Sequence, residues 1–203
     1  MTLYAALAAP AGSAAPGSGP AVSRRLAASA LTVIAGSALM ALSSKVAIPF
    51  YPVPLTMTTF VAIRLGLALG ARLGTAAVAL FLIQGALGLP VFAGTPEKGL
   101  GLAYMMGPTG GYLIGYALAA FAAGFLAERG MDRTPGRAFI AALVAGALIY
   151  VPGLLWLGAL FGWDQPILAW GLTPFLPGDL AKAALAALVF PAAWAMIGRK
   201  GGL

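Results

Sequence analysis

Long apolar runs, each close to the length of a membrane-spanning helix, are the feature that most constrains the fold of this chain. The first runs from Leu26 to Ser44 without a charged side chain. A helix needs about 20 mostly apolar residues to cross the hydrocarbon core of a bilayer. None of the runs shows the alternating pattern of a membrane β-strand. The sequence therefore predicts an all-α membrane protein.

Six runs are long enough to be predicted as transmembrane spans, with Pro or Gly at the breaks between them. They cover residues 26–44, 55–71, 74–92, 110–127, 138–162 and 178–198. We expect them to form a compact bundle within residues 25–203. Residues 1–24 are rich in Ala, Gly, Ser and Pro, and a segment of that composition buries too little apolar surface to fold. We therefore expect a disordered tail there.

The charged residues predict how the bundle is oriented. Only 8% of residues are charged and 61% are hydrophobic, so this chain could not cover the surface of a soluble fold with polar groups. With the N-terminus inside, most loop cations lie on the cytoplasmic side: Arg24, Arg25, Arg72, Arg129, Arg133, Arg137, Arg199 and Lys200. Lys45 and Lys98 lie outside. We predict a protein of the bacterial cytoplasmic membrane with both termini cytoplasmic, and no basic face for nucleic acid.

The chain has few side chains that could act in catalysis, because it contains no Cys and no His. This composition excludes thiol nucleophiles and thiolate metal sites, and removes the usual general base near neutral pH. Intramembrane hydrolysis generally needs paired acids, a catalytic dyad or a metal cluster. Residues 94–100 resemble a phosphate loop, but Leu follows Gly99 where Lys is required. We expect no enzyme, no metal and no cofactor, and a binding subunit rather than a complete pump.

Asp179 and Lys182 are the polar pair best placed to hold a ligand. They occupy the outer start of the sixth predicted span, and positions i and i+3 lie on one face of a helix. The same spacing is typical of an interfacial ion pair in which the lysine extends toward the headgroups. Spacing alone leaves both interpretations open.

Other polar and aromatic residues fit either a structural role or a ligand contact. Gln84, in mid-span, is suited to an interhelical hydrogen bond as well as to a ligand contact. Tyr150 and Trp156 in the fifth span are packing aromatics or walls of a site, and Lys98 in an outer loop is a solvated charge or a ligand contact. Arg64 interrupts the second span without an acidic partner in that helix, and we assign it no role.

Four stretches together make the chain similar to a known transporter family. They are residues 54–60 (PLTMTTF), 88–94 (GLPVFAG), 107–112 (GPTGGY) and 174–182 (PFLPGDLAK). In this order, and over about residues 26–198, they resemble the biotin-binding S component of energy-coupling-factor vitamin transporters, the BioY family. Two residues depart from the family pattern: Thr58 stands where many relatives carry Gln, and Arg64 replaces an expected apolar residue.

The resemblance implies that biotin is held near the outer face of the membrane. Asp179 would accept hydrogen bonds from the ureido N–H groups, and Lys182 would donate to the ureido oxygen. Gln84 would add a contact to the ring, and Lys98 would bind the valerate carboxylate. Apolar and aromatic side chains would bury the bicycle, and these include Tyr150 and Trp156.

The resemblance also implies partners and leaves alternatives open. A membrane coupling protein and two cytoplasmic ATPases drive release of the vitamin in similar systems, and a solitary transporter without ATPases fits equally well. Alternatives are an S component for riboflavin or thiamine, an intramembrane enzyme acting on lipid, and a passive channel or structural subunit. Competition by other vitamins tests the first, and a channel predicts no saturable binding.

Overall fold

Five long helices dominate the computed structural model, which describes residues 2–4 and 19–200. They are α1 (Gly19–Lys45), α2 (Thr58–Ala86), α4 (Gly110–Glu128), α5 (Pro135–Phe161) and α7 (Leu176–Lys200). Two short helices lie in the connections, α3 (Gly101–Met105) and α6 (Ile167–Gly171). Strand β1 (Ala47–Ile48) pairs antiparallel with β2 (Leu55–Thr56). All five long helices include a segment long and apolar enough to cross a membrane, which confirms the predicted all-α membrane fold.

Gly70 interrupts α2 and divides it into two arms. Its φ of 85° and ψ of 175° belong to a region that only glycine adopts readily. A Cβ placed on Gly74 would lie 2.8 Å from the Cα of Gly66, whereas those residues would be about 12 Å apart in a straight helix. The chain therefore turns back at Gly70, and its two arms pack side by side. This reversal falls at the break predicted between the second and third spans.

The ends of α2 differ from the predicted limits of residues 55 and 92. The helix begins at Thr58, because Leu55–Thr56 is paired with β1. It ends at Ala86, and Gly88 follows with a φ of 91°, which ends the helical path in a turn. The predicted limits were wrong here because apolar residues extend past both helix ends into the connecting segments.

Small residues allow α2 and α4 to approach within backbone contact. A Cβ on Gly66 would lie 2.3 Å from the carbonyl oxygen of Ala120, and one on Gly124 would lie 2.2 Å from the amide nitrogen of Ala71. Several alanines on the same face of α4 are fully buried: Ala119, Ala120, Ala123 and Ala127. Close approach of this kind supplies the van der Waals packing that holds helices together in lipid, where lipid tails are as apolar as the helices.

The remaining predicted spans lie within the observed helices or differ from them by a few residues. Helix α4 ends one residue beyond its predicted limit, and α5 begins at Pro135, where the prediction began at 138. The predicted tail, residues 1–24, lies largely outside the described residues. Helix α1 begins at Gly19, so its first turns fall within that predicted tail.

The connection between α4 and α5 holds a fully buried carboxylate, Asp132. Nε1 of Trp194 in α7 donates to Oδ2 of Asp132 at 2.5 Å, while Oδ1 has no hydrogen-bond partner within the described part of the chain. Burial raises the pKa of the Asp132 carboxyl, and the Trp194 hydrogen bond and the charge of Arg133 oppose that rise. The contact ties this connection to α7.

Replacing Gly70 by alanine tests the chain reversal. We expect Gly70→Ala to destabilise the fold by about 1–3 kcal/mol, because alanine is strained at this backbone conformation. The added Cβ would also lie 2.7 Å from Oε1 of Glu128. Thermal unfolding in detergent measures the change, with Gly136→Ala as control, since a Cβ at Gly136 meets nothing within 4 Å. Equal midpoints for the two variants would contradict the reversal.

Asp132 predicts a pH dependence of stability. Because its folded-state pKa is raised, the folded protein binds the proton more tightly than the unfolded chain does. The resulting stabilisation is present below the ordinary pKa and is lost as pH rises through the folded value. We expect the unfolding midpoint to fall across that window, and Asp132→Asn, which keeps an acceptor for Trp194, to flatten the fall. Identical pH profiles for the two proteins would refute this role.

Candidate functional site

Polar groups from β2, α2, α5 and α7 meet at the start of α7. Nζ of Lys182 donates to Oδ1 of Asp179 at 3.1 Å, to Oγ1 of Thr59 at 2.8 Å and to the carbonyl of Thr56 at 3.3 Å. The hydroxyl of Tyr150 donates to Oδ2 of Asp179. We call these five residues the polar cluster. The predicted pairing of Asp179 with Lys182 is observed, and each side chain is 21% exposed.

Local sequence places each member of the cluster. Asp179 lies in the first turn of α7, where the helix dipole favours a carboxylate. Lys182 follows three positions later and therefore shares its face. Thr59 is in the first turn of α2, which begins two residues after β2 ends at Thr56, so the pairing of β2 with β1 limits where α2 begins.

Aromatic packing holds Tyr150 against α7. Its ring meets those of Tyr112 and Phe175 edge to face, with centroids 6.3 Å and 6.2 Å away. The hydroxyl of Tyr112 donates in turn to the carbonyl of Gly171 at 2.9 Å. A Cβ on Gly153 would lie 2.6 Å from the Tyr112 ring, so a glycine is needed for this arrangement. These contacts direct the Tyr150 hydroxyl toward Asp179.

A cavity of about 420 Å³ adjoins the polar cluster and lies between α2, α5 and α7. Four cluster members line it, namely Thr59, Tyr150, Asp179 and Lys182. Much of the remaining wall is apolar: Phe60, Ile63, Leu143, Ile149, Leu176 and Leu180. Small-molecule sites typically combine a volume of roughly 300–1,000 Å³ with apolar walls and a few placed polar groups. A second cavity of about 20 Å³, which includes Thr56 in its lining, has room for about one water.

Three of the predicted site residues do not line the larger cavity. Oε1 of Gln84 accepts a hydrogen bond of 2.6 Å from Ser37 in α1. This is the interhelical hydrogen bond that the sequence offered as the alternative to a ligand contact. Nε1 of Trp156 donates to the carbonyl of Gly107 at 2.9 Å. Lys98 is exposed in the connection between α2 and α3. Ligand contacts by these three residues stay predictions.

Sequence reasoning missed two residues that line the cavity. Thr59 was not distinguished from Thr58, because spacing does not show which of two adjacent threonines faces α7. The guanidinium carbon of Arg64 lies 3.7 Å from the centroid of the Phe60 ring. Nε and Nη2 of Arg64 are buried without a hydrogen-bond partner in the described residues. The interruption of an apolar span was the signal for Arg64, but it did not indicate what the residue faces.

A double-mutant cycle tests the cluster in the ligand-free protein. We expect Lys182→Met to lower the free energy of unfolding by about 1–2 kcal/mol, less than for a fully buried pair because both side chains are partly exposed. The double variant Lys182→Met/Asp179→Asn should lose less unfolding free energy than the sum of the two single variants, because it no longer contains an unpaired carboxylate. Unfolding in mixed detergent measures all four proteins. Strictly additive losses would show that the two side chains do not interact.

Comparisons with known proteins find relatives over most of the chain. The model described as the BioY family matches residues 17–199. A protein described as probable biotin transporter BioY from Pyrococcus horikoshii is 37% identical over 152 residues, or 75% of this chain and 87% of that protein. The biotin transporter BioY of Thermotoga maritima is 38% identical over 154 residues, or 75% of this chain and 88% of that protein.

A solved structure shares the fold. The crystal structure of the S-component for biotin from an ECF-type ABC transporter superposes with a TM-score of 0.68 and 26% identity, covering 83% of this chain and 92% of that chain. The resemblance indicated by the four sequence stretches is thus confirmed by both sequence and fold. This chain belongs to the BioY family.

Proposed function

We propose that this chain captures biotin as the substrate-binding subunit of an energy-coupling-factor transporter. One observation carries the proposal: the Asp179–Lys182 pair and Tyr150 line a ligand-sized cavity in a member of a family whose relatives are described as biotin transporters. The related solved structure is described as an S-component for biotin. Binding and transport, rather than catalysis, is therefore the activity that we assign.

The hydrogen-bonding capacity of Asp179 supports a cyclic urea as ligand. Each carboxylate oxygen has two lone-pair sites, and in this structure one donor is recorded on each oxygen of Asp179. One site on each oxygen is therefore left for a ligand donor. The two N–H donors of biotin's cyclic ureido group point away from each other, so one of them would bind Asp179, and charge-assisted bonds of this kind are roughly twice as strong as neutral ones.

Lys182 would supply the complementary donor to the ureido oxygen. An ammonium group has three donors, and here they are directed at Asp179, Thr59 and the carbonyl of Thr56. The Thr56 contact is the longest of the three, at 3.3 Å. The ureido oxygen would replace that carbonyl most readily, so binding would loosen the link between Lys182 and β2.

For the arrangement in the membrane we propose six crossing segments, counting the two arms of α2 separately. Their side-by-side packing at Gly66 and Gly74 supports this count, and the excess of Lys and Arg in alternate loops supports cytoplasmic termini. The start of α7 then lies on the outer side of the cytoplasmic membrane, where vitamin arrives. The polar cluster and its cavity would be loaded from that side.

For release to the cytoplasm, the proposed mode uses partner subunits. We propose a membrane coupling protein and two ATPase subunits. Helices α1 and α7 both leave surface for such a partner, since only 22% of the most apolar stretch of each is buried among the described residues. A solitary biotin transporter without ATPases is the alternative mode. The alternative in ligand is an S component for riboflavin or thiamine.

Equilibrium binding of biotin to the detergent-purified protein tests the proposal. We expect saturable one-to-one binding that riboflavin and thiamine do not compete. Asp179→Asn should weaken it about 10- to 100-fold, because the variant loses a charged acceptor. Asp164→Asn is the matched control, since Asp164 is an exposed carboxylate whose recorded partner is Gln165.

Each contrary outcome has a distinct meaning. No binding by monodisperse wild-type protein would overturn the assignment of biotin. Equal weakening by Asp179→Asn and Asp164→Asn would remove the polar cluster from the site. Competition by riboflavin or thiamine would favour the alternative vitamin.

A further inference from the structure

Arg64 is a charged side chain of the cavity for which the described residues provide no counterion. Its Nε and Nη2 atoms are buried and lack a hydrogen-bond partner. Asp179 is paired with Lys182 instead. The other four carboxylates are engaged elsewhere or exposed: Glu128 accepts from the backbone of Ala71, Asp132 from Trp194 and Asp164 from Gln165, and Glu97 is exposed.

An unpaired guanidinium at this position carries a free-energy cost. Arginine is not deprotonated in proteins, so the partial burial of Arg64 removes water from one edge of a permanent charge without replacing its hydrogen bonds there. The contact with the Phe60 ring offsets part of that cost through a cation–π interaction. Nε and Nη2 remain without a partner among the described residues, and an anion in the cavity would satisfy them once the side chain turns toward it, because neither atom is open to the cavity in the ligand-free structure.

The two unused atoms define the shape of the anion. Nε and Nη2 lie on the same edge of the guanidinium plane, and that edge donates two parallel hydrogen bonds to the two oxygens of a carboxylate. Arg64 follows Thr59 by five residues on α2, which is about 7.5 Å of helical rise. The cavity therefore has the polar cluster at one end of this wall and a cation further along it.

We infer that Arg64 binds the carboxylate of the ligand and makes that carboxylate a requirement for tight binding. This inference rests on the proposed function, in which the polar cluster holds the ureido group. Biotin carries its carboxylate on a flexible tail at the opposite end from the ureido ring. The molecule then spans the cavity, with its bicycle and tail against the apolar wall between the two polar ends.

This assignment differs from the role that the family resemblance implies for Lys98. Lys98 is exposed in the connection between α2 and α3, and its side-chain stem lies near Gly94. Arg64 lines the cavity that contains Asp179 and Lys182, and Lys98 does not. The two assignments make opposite predictions about which variant abolishes selection for a carboxylate.

The experiment measures affinity for biotin and for biotin methyl ester, which keeps the ureido ring but has a neutral tail. Wild-type protein should prefer biotin by about 10- to 100-fold, the effect of charge-assisted hydrogen bonds. Arg64→Met should bind biotin as weakly as the ester and leave affinity for the ester unchanged. Arg64→Lys keeps the charge without the two-pronged geometry and should give an intermediate preference. Arg72→Met, which removes an exposed arginine beyond Gly70, is the matched control.

Retained affinity for the ester shows that Arg64→Met is folded and that the ureido end of its site is intact. If Arg64→Met keeps the full preference for biotin, the inference is overturned while biotin binding stands. The same holds if Lys98→Met removes the preference instead. If wild-type protein binds neither ligand, the proposed function fails, and the inference fails with it.

Discussion

The reversal of the chain at Gly70 is the constraint on which the rest of this bundle depends. It places the two arms of α2 side by side, and Gly66 in α2 together with Gly124 in α4 allows these two helices to approach within backbone contact. The hydrophobic effect does not drive helices together in lipid, because lipid tails are as apolar as the helices. Their association therefore depends on the van der Waals packing of closely fitting backbones. Thr59 and Arg64, on the first arm, line the cavity between α2, α5 and α7. A packing constraint thus determines where the polar groups of the site can lie.

The polar cluster shows how a membrane protein retains two opposite charges beside a cavity. Lys182 and Asp179 compensate each other, and Thr59 and Tyr150 take up further hydrogen-bonding capacity. An isolated charge, partly buried as these are, would be costly, whereas a hydrogen-bonded pair that is neutral overall is tolerated. The carboxylate nevertheless retains acceptor sites, because each oxygen is recorded with a single donor. Under the proposed function, the cluster would therefore be stable when empty and would still have an acceptor for a ureido N–H group.

Sequence reasoning reached the fold class, the family and the Asp179–Lys182 pairing, because each depends on local or periodic signals. Apolar run length defines membrane helices, and an i, i+3 spacing defines a shared helix face. It did not reach the partners of Tyr150 or the position of Arg64, which depend on how α2, α5 and α7 pack across more than a hundred residues of chain. Gln84 illustrates the same limit: its position in mid-span predicted a polar contact, but not that the partner would be Ser37.

The contrast between Asp179 and Arg64 indicates how binding free energy is divided along the cavity. Asp179 already has a counterion, so a ligand at that end exchanges or adds hydrogen bonds around a pair that is neutral overall. Arg64 has none among the described residues, so an anion there would remove the cost of its two buried, unpartnered nitrogens as well as forming new bonds. The polar cluster would therefore select the shape and donor pattern of the ring, while Arg64 would select the charge of the tail. A ligand with a neutral tail in place of the carboxylate would keep the ring contacts and would lose only the binding free energy contributed by Arg64.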